Sequence, residues 1–465
     1  LVWVDKAIVI YQERDGKQKM RFIAGTMSGE ASRPGKLLIL AGWVLVGCVL
    51  LRREGPPPLA CLRPQRTAIV DFFQDWASAK LFLSGKSVYA KQQQVYREHI
   101  SREDNRIVLN QVNAHPPPAI LLILPLGLLD YPDACLVWNL LSILALGVSL
   151  ALILVSLRLR FQLEGWVAVV VLLGWCFPLW DQLCSGQFNL VLLLLITLAW
   201  VFERSGRLAW AGVCLGSAAA LKLIPGFLFL YFLVQGRWRA LLGGLAAGLC
   251  WVALSAGVLG GDVFVEYVRE GLPQGGSFRD AFPNVSLAAF WTKLFAGTGK
   301  AGHAESLWDQ PGLARVAIAG SWLVLAGTTG WLCWKARTRA ARDQAFGLSI
   351  TAMLLLSPTT WPHYLLLLLL PVVLLWRDLP SPWGVRCVFW VSVAILCLRP
   401  YLYWGPLLDI HPNNWYRIVS KPWQTLTLVS LQMYALLGVF CLGVLATTRE
   451  EKTEGEGLRG HQDRE

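Results

Sequence analysis

Long apolar runs place the narrowest limits on what this chain can become. LLILAGWVLVGCVLL, ACLVWNLLSILALGVSLALILVS, LLGGLAAGLCWVALSAGVLG and TLTLVSLQMYALLGVFCLGVLA each approach or reach the roughly 20 residues that carry a helix across a bilayer. Hydrocarbon offers no water to exposed peptide groups, so such runs close their backbone hydrogen bonds internally, as helices. Charged residues make up only 15% of the 465 positions, well under the roughly 25% of a soluble domain. The class is an all-α polytopic membrane protein.

The net charge of +12 does not point to nucleic acid. Its Lys and Arg residues are scattered through short loops between apolar runs, which is topology information rather than a phosphate-binding face. The eleven cysteines include no CxxC pair and mostly lie inside apolar runs, where a thiol acts as a small hydrophobe. Neither a metal site nor a disulfide framework is read from them. The first 35 residues are polar, without a cleavable signal, and the closing TTREEKTEGEGLRGHQDRE reads as a disordered tail.

Orientation follows from the short basic loops. Lys6, Arg14, Lys17, Lys19, Arg21, Arg33 and Lys36 place the tail 1–36 in the cytoplasm. A first span at 37–51 then delivers a loop, 52–118, to the outside. AILLILPLGLL (119–129) has half the required length and contains Pro125, so it reads as interfacial or re-entrant. Spans follow near 134–156, 165–180 and 189–202. The stretch 211–234 becomes two half-spans meeting near Lys222 and Pro225. Further spans lie near 240–259, 313–334, 344–357, 364–376, 386–399 and 424–446, with a second large outer loop at 260–312. The sum is about twelve spans in a membrane domain of 37–446. Both termini are cytoplasmic, and 447–465 forms the tail.

This threading collects DFFQDW, NAHPPP, DQLCSGQFN, the Lys222 turn, PNVS, SPTTWPHY and PYLYWG on one side, the outer face. A transporter places its polar groups near the midplane, in broken helices. Convergence on one face suits a reaction centre at the membrane surface.

Each candidate residue has a chemical and a structural reading. Asp71 and Asp75 stand at i and i+4, on one helical face. Asp71 is either a general base for an acceptor hydroxyl or the N-cap of FFQDWASAKLFLSG. DFFQD is not a DxD pair, so no metal is assigned. Lys222 is an intramembrane cation costing about 2.5–3.5 kcal/mol at a span centre, hence either a phosphate partner or a snorkelling side chain. Gln187 and Asn189, in GQFN, bind sugar hydroxyls or cap a helix. His363 is a proton shuttle, a phosphate donor or an interfacial hydrogen-bonder. Arg399 binds an anion or anchors its span. PNVS matches an N-glycosylation sequon, which matters only in a secretory cell.

The order of these segments closely resembles glycosyltransferase family 87, the bacterial polyprenyl-phosphate-mannose-dependent transferases of the GT-C superfamily. VDFFQDWASAKLFLSGKSVY, HPPPAILLILPLGLLDYPDACLVWNLLS, the block from GQFN through LKLIP to GRWRA, NVSL and LLLSPTTWPHYLLLLLLP carry the likeness over residues 70–375. The resemblance implies a GT-C fold with interfacial helices in the first outer loop. It implies a lipid-phosphate sugar donor, a glycolipid or glycan acceptor, and inverting transfer without metal or cofactor, in the bacterial cytoplasmic membrane. Asp71 matches the family's acidic residue and general base, His363 its W-x-H histidine and Lys222 its K-x-x-P lysine. Many relatives have a Tyr where this chain has His115. Lys222, with His363 or Arg399, would face the leaving phosphate, and Phe72, Phe73 and Trp76 would seat their helix at the lipid interface. The rival readings are a lipid-linked sugar flippase or transporter, and a non-catalytic membrane subunit.

Overall fold

Lys222 breaks what would otherwise be a continuous apolar helix, and much of the architecture turns on such interruptions. The computed structural model describes residues 11–14, 17–20, 41–42, 61–101, 111–379, 382–411 and 414–462. Its main helices are α1 (Phe72–Leu83), α2 (Gln93–His99), α3 (Pro117–Ile123), α4 (Tyr131–Leu157), α5 (Leu163–Trp175) and α6 (Phe177–Ser185). There follow α7 (Asn189–Arg204), α8 (Leu208–Leu221), α9 (Phe229–Val234), α10 (Trp238–Leu259), α11 (Leu287–Phe295) and α12 (Pro311–Lys335). The chain continues through α13 (Arg339–Leu356), α14 (Leu369–Arg377), α15 (Trp383–Cys397), α16 (Tyr401–Leu408) and α17 (Leu431–Gln462).

Among the described residues four helical segments are long and apolar enough to cross a membrane: α4, α10, α12 and Pro422–Glu450. Two bent pairs, α5 with α6 at 57° and α15 with α16 at 82°, raise the number to six. The apolar runs expected near 189–202, 211–234, 344–357 and 364–376 are helical too, but short or broken. Among the described residues the full-length helices are thus fewer than the roughly twelve spans expected, several of which are short. One of the interruptions is at Lys222. Lys222 adopts an extended conformation (φ −154°, ψ 125°) after α8, and a 3-10 turn at Ile224–Leu228 starts the return through α9. That is the pair of half-spans expected of this stretch.

The segment 119–129 forms α3 and a 3-10 turn, Leu124–Leu128. It lies under α1, where a Cβ on Gly127 would come within 2.7 Å of the Ala79 methyl. The span expected at 37–51 lies outside the described residues apart from 41–42. The N-terminal tail contains an antiparallel hairpin, Tyr11–Arg14 with Lys17–Met20. In place of a disordered tail, α17 continues to Gln462.

Helices α8 and α10 pack backbone to backbone. A Cβ on Gly212 or Gly216 would collide with the carbonyl oxygens of Ala240 or Gly244, and one on Gly243 with that of Ala209. Small residues of this kind let membrane helices approach closely without a hydrophobic driving force. One end of the bundle is then locked by charge. Asp343, at the start of α13, accepts hydrogen bonds from Trp200 Nε1 (2.9 Å) and Arg204 Nη1. Arg377 Nη1 stands 3.8 Å from the same carboxylate. Arg204 also donates to Ser156 O, at 3.1 Å, so the ends of α4, α7, α13 and α14 meet there. The polar loops that interest us meet at the opposite ends of these helices.

Candidate active site

Helix α1 opens with Asp71, and the apolar residues behind it fix how that carboxylate stands. Phe72, Phe73 and Trp76 are fully buried. Phe72 stacks on Trp138 at 6.1 Å, Phe73 meets Tyr131 edge-on at 5.5 Å, and Trp76 Nε1 donates to Leu129 O at 3.1 Å. The expected lipid-facing aromatic belt is therefore replaced by an internal one. These rings find enough aromatic partners within the protein to bury completely, and they hold α1 rigidly.

Asp71 itself is exposed. It occupies the N-cap position, yet its side chain accepts no capping N–H. Its Oδ2 instead accepts a 3.0 Å hydrogen bond from Gln187 Nε2. The other end of that amide, Oε1, accepts from Lys222 Nζ at 3.5 Å. One amide thus bridges a carboxylate and an ammonium 151 positions apart in sequence. Lys222 Nζ also lies 3.8 Å from the centroid of the Tyr364 ring, a cation–π contact that stabilises a charge drawn away from water. Asp71 and Asp75 are the carboxylates whose field reaches this lysine.

Asp75 does not share the exposure of Asp71. It is 1% exposed and takes hydrogen bonds from Asn113 Nδ2 (3.0 Å) and His115 Nδ1 (2.9 Å). The His115 ring in turn meets Phe188 edge-on at 5.1 Å. Asn189 is also fully buried, and its Nδ2 donates to Gln182 Oε1 at 2.9 Å. Gln182 Nε2 donates to the backbone oxygen of Gln187. Asn189 therefore stands behind Gln187 as a brace, through Gln182.

Two further devices hold Gln187 in place. Gly186 has φ +67°, and a Cβ there would come 2.7 Å from Phe72 Cβ; only glycine suits both conditions. Its carbonyl accepts from Trp138 Nε1 at 2.8 Å. A disulfide joins Cys61 to Cys184, a pairing that the sequence does not reveal. Cys61 precedes Asp71 by one short loop and Cys184 precedes Gln187 by one turn, so the bond ties together the segments that carry the two residues. Asn139 Nδ2 reinforces the junction by donating to Cys61 O and Leu183 O, at 3.2 and 3.0 Å.

His363 lies beside this group. It is 4% exposed, and its Nδ1 pairs with Asp181 Oδ2 at 2.8 Å. Its ring centroid is 5.0 Å from that of Tyr364, the residue over which Lys222 sits. Arg399 lies apart from the amide bridge, its guanidinium 5.5 Å from the Phe177 ring. Phe177 and Asp181 are one turn apart on α6. Asp181 opens the DQLCSGQFN stretch and is not among the candidates read from the sequence; the signal that marks it is a carboxylate inside an apolar helix.

The loop 260–312 closes over the same end. Asn284, of the sequon, is 2% exposed. Its Nδ2 faces the carbonyls of Phe278, Arg279 and Pro358, and its Oδ1 accepts from Ser286 N and Thr360 N. It is a structural clip on the SPTTW segment, not an accessible glycan acceptor. Burial alone would raise the Asp280 carboxyl, but the Thr298 N–H and hydroxyl, with His303, hold it below the ordinary range. Burial pushes Lys293 down to about 7, against the opposing field of Asp280, while its Nζ donates to Phe282 O and Asn284 O.

The arrangement thus presents an exposed carboxylate, an amide and a lysine in series, with a buried histidine dyad adjoining. Such a set can accept a proton at one end and stabilise an anion at the other. Among the described residues no group of three His, Cys, Asp or Glu side chains is placed to hold a metal ion.

The family model for glycosyltransferase family 87 matches residues 113–358, just over half of the chain. The chain is 29% identical over 377 residues to a polyprenol-phosphate-mannose-dependent alpha-(1-2)-phosphatidylinositol mannoside mannosyltransferase from Mycobacterium tuberculosis, covering 74% of this chain and 79% of the relative. It is 28% identical over 317 residues to the corresponding phosphatidylinositol pentamannoside mannosyltransferase from Mycolicibacterium smegmatis, covering 66% and 71%. Among solved structures, ArnT from Cupriavidus metallidurans bound to undecaprenyl phosphate matches over 91% of this chain and 78% of that one, with 15% identity and a TM-score of 0.37.

Proposed function

Since this chain belongs to glycosyltransferase family 87, we propose that it transfers mannose from a polyprenyl-phosphate donor to a glycolipid or glycan acceptor. The acceptor of its relatives, a phosphatidylinositol mannoside, sets the first class to try. The reaction takes place at the extracytoplasmic face of the bacterial cytoplasmic membrane. The loops 52–118 and 260–312 lie on that side, and the Arg204–Asp343–Arg377 end faces the cytoplasm. The basic loops RLR, ERSGR and KARTRAARD support this orientation.

The observation that carries the reading is the bridge from Asp71 through Gln187 to Lys222. Asp71 removes the proton of the acceptor hydroxyl as its oxygen attacks C1 of the mannose. The C1–O bond to phosphate breaks, and C1 inverts. The leaving polyprenyl phosphate departs as an anion and takes no proton. Lys222 supplies positive charge where that anion develops, which is how preorganised charge lowers such a barrier. Gln187 fixes the spacing between the base and the cation. Asp75 and Asn189 act from within, by holding the segments that carry Asp71 and Gln187.

The test is transfer of labelled mannose from polyprenyl-phosphate-mannose by the purified protein in lipid, with phosphatidylinositol mannosides and a native lipid extract as acceptors. A product that appears with this donor and not with a sugar nucleotide supports the reading. Movement of the labelled donor across a sealed vesicle without any transfer would replace it with the flippase reading.

A further inference from the structure

Helix α6 carries the residues that set two parts of the site. Gln182 reaches the Gln187 backbone, and its neighbour Asp181 reaches His363. A carboxylate has no proton to offer at ordinary pH, so the His363 Nδ1–H donates, and the ring's other nitrogen is left to face away from Asp181. That nitrogen, Nε2, is buried and has no hydrogen-bond partner among the described residues. Leaving a buried polar atom unmatched is unfavourable, and a ligand that supplies the missing partner recovers that cost.

The position of the ring limits what such a ligand is. Through the shared neighbour Tyr364, Lys222 Nζ lies within about 9 Å of the His363 ring centroid. One phosphate accepting bonds of about 2.8 Å on two of its oxygens bridges donors roughly 7–8 Å apart. Asp181 is the carboxylate paired with the ring, its own side chain 27% exposed, and Arg399 stands over Phe177, one turn from Asp181 on α6.

We propose that Asp181 is a positioning residue that holds His363 with Nε2 presented to the donor's phosphate, opposite Lys222, so that α6 sets both the histidine and the amide of the site. This inference rests on the polyprenyl-phosphate reading given above. No bond is made or broken by either residue. With hydrogen on both ring nitrogens, His363 donates Nδ1–H to Asp181 and Nε2–H to a phosphate oxygen, so that the Asp181 carboxylate sets the orientation in which Nε2 meets the phosphate.

The test measures two quantities on the full chain in nanodiscs, polyprenyl phosphate affinity and mannose transfer. It compares wild type with Asp181→Ala, Asp181→Asn, His363→Ala and the Asp181→Ala/His363→Ala double variant. Each alanine variant is expected to weaken polyprenyl phosphate binding about 10–100-fold, the range for losing a hydrogen bond to a charged group. In transfer, the donor KM should rise while the acceptor KM stays put. The double variant should bind no worse than His363→Ala alone, because Asp181 acts only through the ring. Asp181→Asn keeps the shape and the Nδ1 hydrogen bond, so it should fold normally and show an intermediate loss. Wild-type affinity in both Asp181 variants, or losses that add in the double variant, would overturn the proposal and leave the donor reading intact. A wild-type protein that binds no polyprenyl phosphate would overturn both.

Discussion

The two ends of α7 hold opposite kinds of polar chemistry. At about 1.5 Å per residue its 16 residues separate them by about 24 Å. At the Arg204 end the Asp343 carboxylate is shared by Trp200, Arg204 and Arg377, and Gln344 Nε2 ties Asp378 to the same group at 2.8 Å. At the Asn189 end the groups are under-matched. Asp71 is exposed and holds one amide, Lys222 has a single long contact and an aromatic face, and His363 Nε2 has no partner among the described residues. A network that is satisfied internally specifies structure. Charges that are brought together and left incomplete specify a place for something else.

The largest effect that sharpens this contrast is at the satisfied end. Asp343→Ala leaves Arg204 without its buried counter-charge, while Arg377 keeps Asp378. It should lower unfolding stability by about 3–5 kcal/mol, read by thermal unfolding in detergent. Lys222→Met should do the reverse. Stability holds or rises because a buried cation is removed, while transfer falls about 10²–10³-fold, the scale for losing one preorganised charge at a developing anion. Equal destabilisation by both substitutions would break the comparison.

Next in size is the cross-link. Cys61→Ser with Cys184→Ser should cost about 2–4 kcal/mol and, by loosening Asp71 from Gln187, should reduce transfer more than donor binding. An unchanged melting transition would mean that Asn139 and the aromatic packing suffice. The smallest effect is in the loop 260–312. Lys293 is held at about 7 in the folded chain, against 10.5 for the free group. The unfolded state therefore binds the extra proton between those values, and stability of the 280–305 segment rises with pH across that window and is lowest below it. Asp280 contributes in the ordinary carboxylate sense, its stabilisation lost only as pH falls through its depressed value. Limited proteolysis should slow from pH 7 to pH 10, and Lys293→Met should flatten that dependence.

Much of this arrangement is legible in the sequence because hydrophobicity and interruption are both local signals. The half-spans around Lys222 follow from a cation and Pro225 inside an apolar stretch, and Asp71, Gln187 and Lys222 share an end because short basic loops fix the alternation. What is not legible depends on which way a side chain turns in a helix apolar on nearly every face. Asp75 and Asn189 are as polar as Asp71 and Gln187, yet the fold turns them inward. Phe72, Phe73 and Trp76 fit a lipid interface as well as a core, and distant partners such as Trp138 and Tyr131 decide between the two. The Cys61–Cys184 pair spans 123 positions, a distance at which spacing carries no information about pairing. Asp181 was visible as a carboxylate in an apolar helix, but its partner lies 182 positions away.

The central claim is that the incomplete end is the catalytic one, with Asp71 as its base. The direct measurement is the rate of mannose transfer from polyprenyl-phosphate-mannose by wild type and Asp71→Asn, at matched expression and matched thermal stability. Asparagine keeps the shape and the contact with Gln187 but cannot take the acceptor's proton. The account predicts a loss of at least about 10²-fold, the lower end for general-base catalysis, with polyprenyl phosphate binding preserved. Transfer at the wild-type rate by Asp71→Asn would contradict it.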